Sequence, residues 1–299
     1  MKIPAYLEKG DTLAIISPAK AIDEKFILFA KQFWEEKGFR VIVTENALSQ
    51  HHYFSGTDTE RSNDLQKVID HPDIKAIICA RGGYGCVRTL DYVQWAGMVN
   101  FPKWLIGFSD VTVYHQLLGK LEVASIHATM PLNYKDNTSE SLESLHGILI
   151  GQNIHYQWKT AKQNKQGACE GLLLGGNLAV LSNLIGTDIF PDYTGKILFL
   201  EEVGEYLYAI DRMFYQLKRA GVLDKISGLI IGSFSNLKDT ETPFGNSLEE
   251  IILNHFKFSS IPVCFDFPAG HQDDNRALLF GKKMKLSVNE NTASLEFSH

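Results

Sequence analysis

Four cysteines in 299 residues leave little material for a disulfide framework, and none of Cys79, Cys86, Cys169 and Cys264 has C-x-x-C spacing. Cys79 in "AIICA" and Cys264 in "PVCFDF" sit in apolar, strand-like runs, so they read as small core residues of a reduced compartment. No apolar run approaches the roughly 18 residues of a membrane span. The opening "MKIPAYLEKGDTLAII" has no apolar core followed by a cleavage site, so no secretory signal is expected and the cytoplasm is the default. A basic stripe is missing too. With 29 Lys and Arg against 35 Asp and Glu the net charge is -6, which argues against nucleic acid or a membrane surface as partner. There is no H-x-x-x-H or H-E-x-x-H, and His271 with Asp273 and Asp274 is too thin a donor set, so no metal or other cofactor is expected. Repeats of fixed period and low-complexity tracts are also absent. What remains is an ordinary 44% hydrophobic chain, long enough for two domains and a large core.

Apolar runs alternate with amphipathic segments. "DTLAIISPA", "RVIVTEN", "KAIICA", "KWLIGF" and "VASIHA" read as strands. Between them "DEKFILFAKQFWEEKGF", "TERSNDLQKVIDHPDI", "VRTLDYVQWAG" and "VTVYHQLLGKL" read as helices. This rhythm implies an α/β fold with a mainly parallel sheet covered by helices on both faces. The pattern weakens in the polar stretch before Ala168, and 151–167 is read as a linker. A second α/β region follows, with strands "KILFLEE", "GLIIGSF" and "PVCFDFP" and helices "YAIDRMFYQLKRAG" and "LEEIILNHF". It closes on antiparallel strands with a turn at Asn289 to Asn291. The expected domains are therefore 1–150 and 168–299.

In open α/β sheets, functional residues gather beyond the carboxyl ends of the strands. Arg81-Gly82-Gly83-Tyr84-Gly85 ends "KAIICA", Ser109-Asp110 ends "KWLIGF", Glu201-Glu202 ends "KILFL", and Gly270-His271 ends "PVCFDFPA". Ser109 in "IGFSDVT" admits two readings. It can cap the helix that follows, or it can be a nucleophile on a sharp strand-to-helix turn, although G-F-S-D-V lacks the second glycine of G-x-S-x-G. Of the ten histidines, His51, His52, His71, His155 and His299 lie in polar segments and His115 and His255 in helices. His127 ends a strand and competes with His271 for a supporting role. Alternation along "ILFLEE" sends Glu201 and Glu202 to opposite faces, so one of them faces a site and completes a serine, acid and histidine set. The glycine turn 82–85 could cradle a phosphate or aim an N–H at an oxyanion, or simply be a tight turn. Ile210, Met213, Phe214 and Leu217 fall at helical core spacing.

"ARGGYG", "IGFSDVT", "LFLEEVGE" with "AIDRMF", and "PAGHQDDN" together resemble the LD-carboxypeptidases, the serine peptidase family of the muramoyl-tetrapeptide carboxypeptidases and of the microcin C self-immunity peptidases. The likeness runs from "LAIISPA" to the final hairpin. It implies an N-terminal α/β domain resembling class I amidotransferases, carrying the nucleophile, and a smaller C-terminal β/α domain carrying the acid and base. It implies the catalytic set Ser109, Glu201 and His271, with the backbone N–H of Asp110 and one from the Gly82-Gly83 turn, Gly83 preferred over Gly82, as oxyanion donors. Arg81, Gly82 and Tyr84 become substrate-binding candidates, with Arg81 or the backbone of its loop taking a terminal carboxylate. The implied reaction is release of terminal D-alanine from murein tetrapeptides through an acyl-enzyme, by a homodimer that recycles wall fragments. The alternatives are a microcin C-type peptidyl-nucleotide hydrolase, to whose nucleotide platform Tyr84, Tyr206 and Tyr208 could contribute, and a non-catalytic peptide-binding module. Two departures stand out. Glu202 replaces an aspartate common in relatives, and "HATM" at His127 to Met130 replaces their H-G-P-M.

Overall fold

The computed structural model describes residues 1–298. The chain forms two compact units, Met1–Gln152 with Asp273–Gly281, and Asn153–Gln272 with the described residues from Lys282 onward. The N-terminal unit opens with β1 (Thr12–Ile16), α1 (Glu24–Glu36), β2 (Arg40–Val43), α2 (Asp58–Asp70) and β3 (Ile74–Cys79). It continues through α3 (Ala96–Asn100), β4 (Trp104–Gly107), α4 (Thr112–Lys120), β5 (Ser125–His127) and α5 (Ser139–Leu149). The next unit contains β6 (His155–Lys159), β7 (Gly167–Asn177), α6 (Leu178–Asn183), β8 (Ile197–Val203), α7 (Leu207–Arg219), β9 (Gly228–Ser235), α8 (Leu248–His255) and β10 (Val263–Cys264). The chain then returns to the first unit for β11 (Leu278–Phe280) and ends with β12 (Lys283–Val288) and β13 (Thr292–Phe297) in the second.

The N-terminal sheet has the order β11-β5-β4-β3-β1-β2 and is parallel except for β11, which runs antiparallel to β5. Every residue of β1 and β4 is buried. That is the signature of central parallel strands covered on both faces, and it explains their unbroken apolar sequences. The helices begin where the sequence provides a cap. Asp23 accepts from the Lys25 amide at α1, and Thr57 and Glu60 form a reciprocal capping box at α2. Ile27, Ala30 and Trp34 make the buried stripe of α1.

"VRTLDYVQWAG" does not form the single helix its pattern predicts. It becomes a 3-10 stretch, Cys86–Tyr92, and the short α3. Thr89 turns its hydroxyl back to the Cys86 carbonyl (2.7 Å) and to the Tyr114 phenol (2.6 Å). Such local side-chain bonds compete with a regular helical ladder.

The second sheet has the order β10-β9-β8-β7-β12-β13-β6. Strands β10, β9, β8 and β7 are parallel, and β7, β12, β13 and β6 are antiparallel, so the sheet is mixed. Residues 151–167, expected as a linker, contribute β6 in register with β13. The signal was present in "HYQWK", whose burial alternates with Tyr156 and Trp158 inward. Trp158 donates to the Phe265 carbonyl (2.8 Å) and meets Phe267 edge-on at 4.9 Å. "PVCFDFP" is a strand only over β10, because Asp266 takes a positive φ of 60°.

Replacement of Trp158 by Ala should lower the unfolding free energy of this unit by about 3–5 kcal/mol, the cost of deleting a buried aromatic side chain. Urea unfolding followed by circular dichroism measures it. A change under about 1 kcal/mol would show that β6 contributes little to the unit.

Candidate functional site

Strand β4 ends at Gly107, where only glycine fits, since a Cβ there would lie 2.9 Å from a methyl of Val111. Two residues on, Ser109 has φ 61°, a left-handed conformation unusual for a side-chain-bearing residue. Such backbone costs on the order of 1–3 kcal/mol and persists only where its surroundings impose it. Ser109 does not act as a helix cap. It is the first residue of a 3-10 turn, Ser109–Val111, and neither that turn nor α4 has a side-chain cap. His115 braces the junction from below, with Nε2 2.8 Å from the Gly107 carbonyl and Nδ1 2.8 Å from the Ser125 hydroxyl. Burial pushes its pKa down to about 4, so the ring is neutral and serves packing. His127 is fully buried opposite Gly107 in β5, among the rings of Phe108 and Phe280.

The glycine turn after β3 presses on this junction. A Cβ on Gly82 would stand 3.2 Å from the Asp110 amide nitrogen and 3.3 Å from the Ser109 hydroxyl. The absent side chain therefore leaves the space beside the hydroxyl and the amide open. Asp110 ties the two loops together, its carboxylate accepting from the Cys86 amide at 2.9 Å. Burial pushes that carboxyl up, while the amides of Cys86 and Gly85 favour its anion. Gly83 and Gly85 both take positive φ, 113° and 146°. Arg61 is fully buried and donates to the Gly85 carbonyl (3.0 Å), to the Pro18 carbonyl and to Asp58. This support is legible only in three dimensions, because Arg61 lies in a polar helical segment that reads as solvent-exposed. Arg81 is half-buried, gives one guanidinium N–H to the Ala21 carbonyl (2.9 Å), and is held below its usual pKa by burial. Tyr84 is exposed, and its ring lies 6.1 Å from that of Phe54.

In the second unit, His271 Nδ1 lies 2.7 Å from Glu201 Oε2. Glu201 is fully buried and the His271 side chain is 24% exposed. Gly270, with φ 117°, makes the approach possible, since a Cβ there would lie 2.8 Å from the Glu201 Cβ. Ser235 donates to the His271 carbonyl (3.0 Å) and fixes the loop. Glu202 turns away from this pair. It accepts from the Asn177 side-chain amide (2.9 Å), the Ala179 amide (2.7 Å) and its neighbour Val203 (2.8 Å). The alternation along β8 thus gives the two carboxylates separate tasks: Glu201 orients an imidazole and Glu202 anchors the start of α6. Asn177 was missed from sequence, although it too ends a strand. Tyr206 and Tyr208 stack on each other at 5.4 Å, with Lys238 and Arg212 over their rings. Among the described residues, no group of three or more His, Cys, Asp or Glu side chains is placed to hold a metal ion, and no helix is long and apolar enough to cross a membrane.

Residues 13–128 match the LD-carboxypeptidase N-terminal domain and residues 170–286 the LD-carboxypeptidase C-terminal domain. The chain belongs to the LD-carboxypeptidase family. It is 34% identical to a putative carboxypeptidase of Synechocystis over 97% of this chain and 96% of that one. It is 31% identical to the murein tetrapeptide carboxypeptidase of Pseudomonas aeruginosa over 93% of each. The crystal structure of a muramoyltetrapeptide carboxypeptidase from Oxalobacter formigenes superposes with a TM-score of 0.89 at 28% identity, covering 96% of this chain and 99% of that one.

Burial opposes the charged form of His271, yet the charge of Glu201, its hydrogen bond and the charge of Glu202 outweigh it and raise the pKa above the ordinary 6.5. A raised folded-state value means that this pair stabilises the fold fully below the unfolded value, and that the contribution is lost as pH rises through the folded value. In Glu201→Gln the largest influence opposing burial is gone, so the pKa falls. An NMR titration of the His271 ring should therefore find a midpoint above 6.5 in the wild type and a lower one in the variant. An unchanged midpoint would remove Glu201 as the cause.

Proposed function

We propose that the protein is a serine carboxypeptidase that releases terminal D-alanine from murein tetrapeptides. The observation that carries this reading is the 2.7 Å bond between buried Glu201 and His271. A buried acid on one ring nitrogen fixes the tautomer, leaves the other nitrogen to take a proton, and stabilises the imidazolium that results. The strained turn at Ser109 supports a nucleophile there, and the family membership supports the peptide substrate.

In this mechanism His271 takes the proton of Ser109 as its oxygen attacks the amide carbonyl. The oxyanion is held by the N–H groups of Asp110 and Gly83, donors positioned before the charge develops. His271 then protonates the leaving amine, and D-alanine departs. Water, deprotonated by the same imidazole, hydrolyses the acyl-enzyme and restores Ser109. No metal takes part. We place this activity in the cytoplasm, in a homodimer acting on imported wall fragments, on the strength of the family resemblance.

Ser109→Ala and His271→Ala should each lose on the order of 10³-fold or more in turnover, the scale of loss at other triads. Glu201→Gln should impair turnover far more than Glu202→Gln, whose effect should fall on stability. Matched tetrapeptides ending in D-Ala or L-Ala, assayed by mass spectrometry with and without a chelator, test the reaction. D-Ala release alone, unaffected by chelator, is expected. Equal cleavage of both peptides would overturn the L,D assignment, and loss of activity with chelator would overturn the metal-free route.

A further inference from the structure

Consecutive glycines of the turn after β3 look onto different features. Gly82 faces Ser109, but a Cβ on Gly83 would stand 3.0 Å from the Tyr53 phenol oxygen and 3.2 Å from the Lys20 Cβ. Those two side chains, with Asp23, Gln50 and His52, line a cavity of about 470 Å³. The walls are tied by backbone: Ala21 donates to the Tyr53 carbonyl (3.1 Å) and Ser55 to the Ala19 carbonyl (3.0 Å). His51 and Phe54 exchange both backbone bonds around a tight turn in which His52 has φ 54°. Arg81 reaches the same wall at the Ala21 carbonyl.

The charges here do not cancel locally. Asp23 already caps α1 and pairs with Lys25 at 3.2 Å. Among the described residues Lys20 has no carboxylate partner, and its ammonium rests 4.9 Å from the Tyr53 ring centroid. Arg81 has no carboxylate partner either, and its Nε is buried without an acceptor. An ammonium and a phenol stand together beside a glycine that adjoins the one facing Ser109, and the Arg81 guanidinium holds the Ala21 carbonyl of the same wall. Such a set suits an anion, and carboxylates are the anions a peptide carries.

We propose that this cavity is a subsite for a carboxylate of the peptide substrate, gripped by Lys20 Nζ and the Tyr53 hydroxyl, with Arg81 holding the wall in place. The inference rests on the peptidase reading of Ser109. Both the terminal carboxylate and a side-chain carboxylate have the required chemistry, and selective amidation separates them.

The test compares wild type, Lys20→Met and Tyr53→Phe on three tetrapeptides: unmodified, amidated at a side-chain carboxylate, and amidated at the terminus. Lys20→Met should raise KM about tenfold on the unmodified peptide with kcat little changed, the effect of one lost charge-assisted hydrogen bond. Tyr53→Phe should act in the same direction. One of the two amidated peptides should bind the wild type more weakly and lose nothing further in Lys20→Met, which identifies the carboxylate held. Equal penalties from Lys20→Met on all three peptides, or none, would overturn the subsite. The same comparison by calorimetry on Ser109→Ala protein reads binding without turnover. If the wild type releases no D-alanine, the peptidase reading fails, and the calorimetric coupling still decides the subsite: coupling to one amidation supports it, and absence of coupling or of binding overturns it.

Discussion

The close approach of two backbones at the end of β3 and β4 is the constraint on which the N-terminal unit's site depends. Gly82 lies against Ser109 and the Asp110 amide, where any side chain would intrude. The Asp110 carboxylate then clamps the glycine turn through the Cys86 amide. The Ser109 turn does not have its conformation for local reasons. Ser109 is left-handed although serine has no strong preference for that region, and Gly83 and Gly85 use conformations that suit glycine alone. Buried Arg61 and His115 hold the outer ends of the arrangement, one on the Gly85 carbonyl and one on the Gly107 carbonyl. A left-handed Ser109 persists because its surroundings on several sides impose that backbone.

The second unit solves a different problem: keeping an ionisable acid inside a sheet. Isolated burial of a carboxylate is costly, and hydrogen bonds offset it in full for Glu202 but only at Oε2 for Glu201, whose Oε1 is buried with no hydrogen-bond partner among the described residues. Glu202 has two backbone amides and a side-chain amide. Glu201 has the imidazole of His271, reached because Gly270 has no side chain. The two adjacent carboxylates are therefore not equivalent, and their difference follows from strand alternation. Glu202 is the residue that anchors α6, and Glu201 is the partner of the histidine.

Much of the fold was legible in the chain itself. Unbroken apolar runs marked the buried parallel strands, amphipathic segments marked α1 and α2, and the final hairpin followed from its turn. The element at Cys86–Tyr92 was misread because its helical periodicity is real but Thr89 and the neighbouring glycine turn bond elsewhere. The strand His155–Lys159 was missed because a polar neighbourhood hid a five-residue alternation. The return of 273–281 to the first unit leaves no local signal at all, since β11 is specified by its partner β5 and not by its own three residues.

The sequence by itself determined which residues could be chemical. Serine, glutamate and histidine at strand ends, and glycines where the chain turns, are features of order and spacing. Only the tertiary structure decided among them. It separated Glu201 from Glu202 and turned Ser109 from a helix cap into a strained turn residue. It buried Arg61 and His115 as braces, and it brought Lys20 and Tyr53 beside Gly83. The reason is physical: spacing along a chain fixes which face a side chain takes, but distance, burial and the absence of a competing side chain are set by residues far away in sequence.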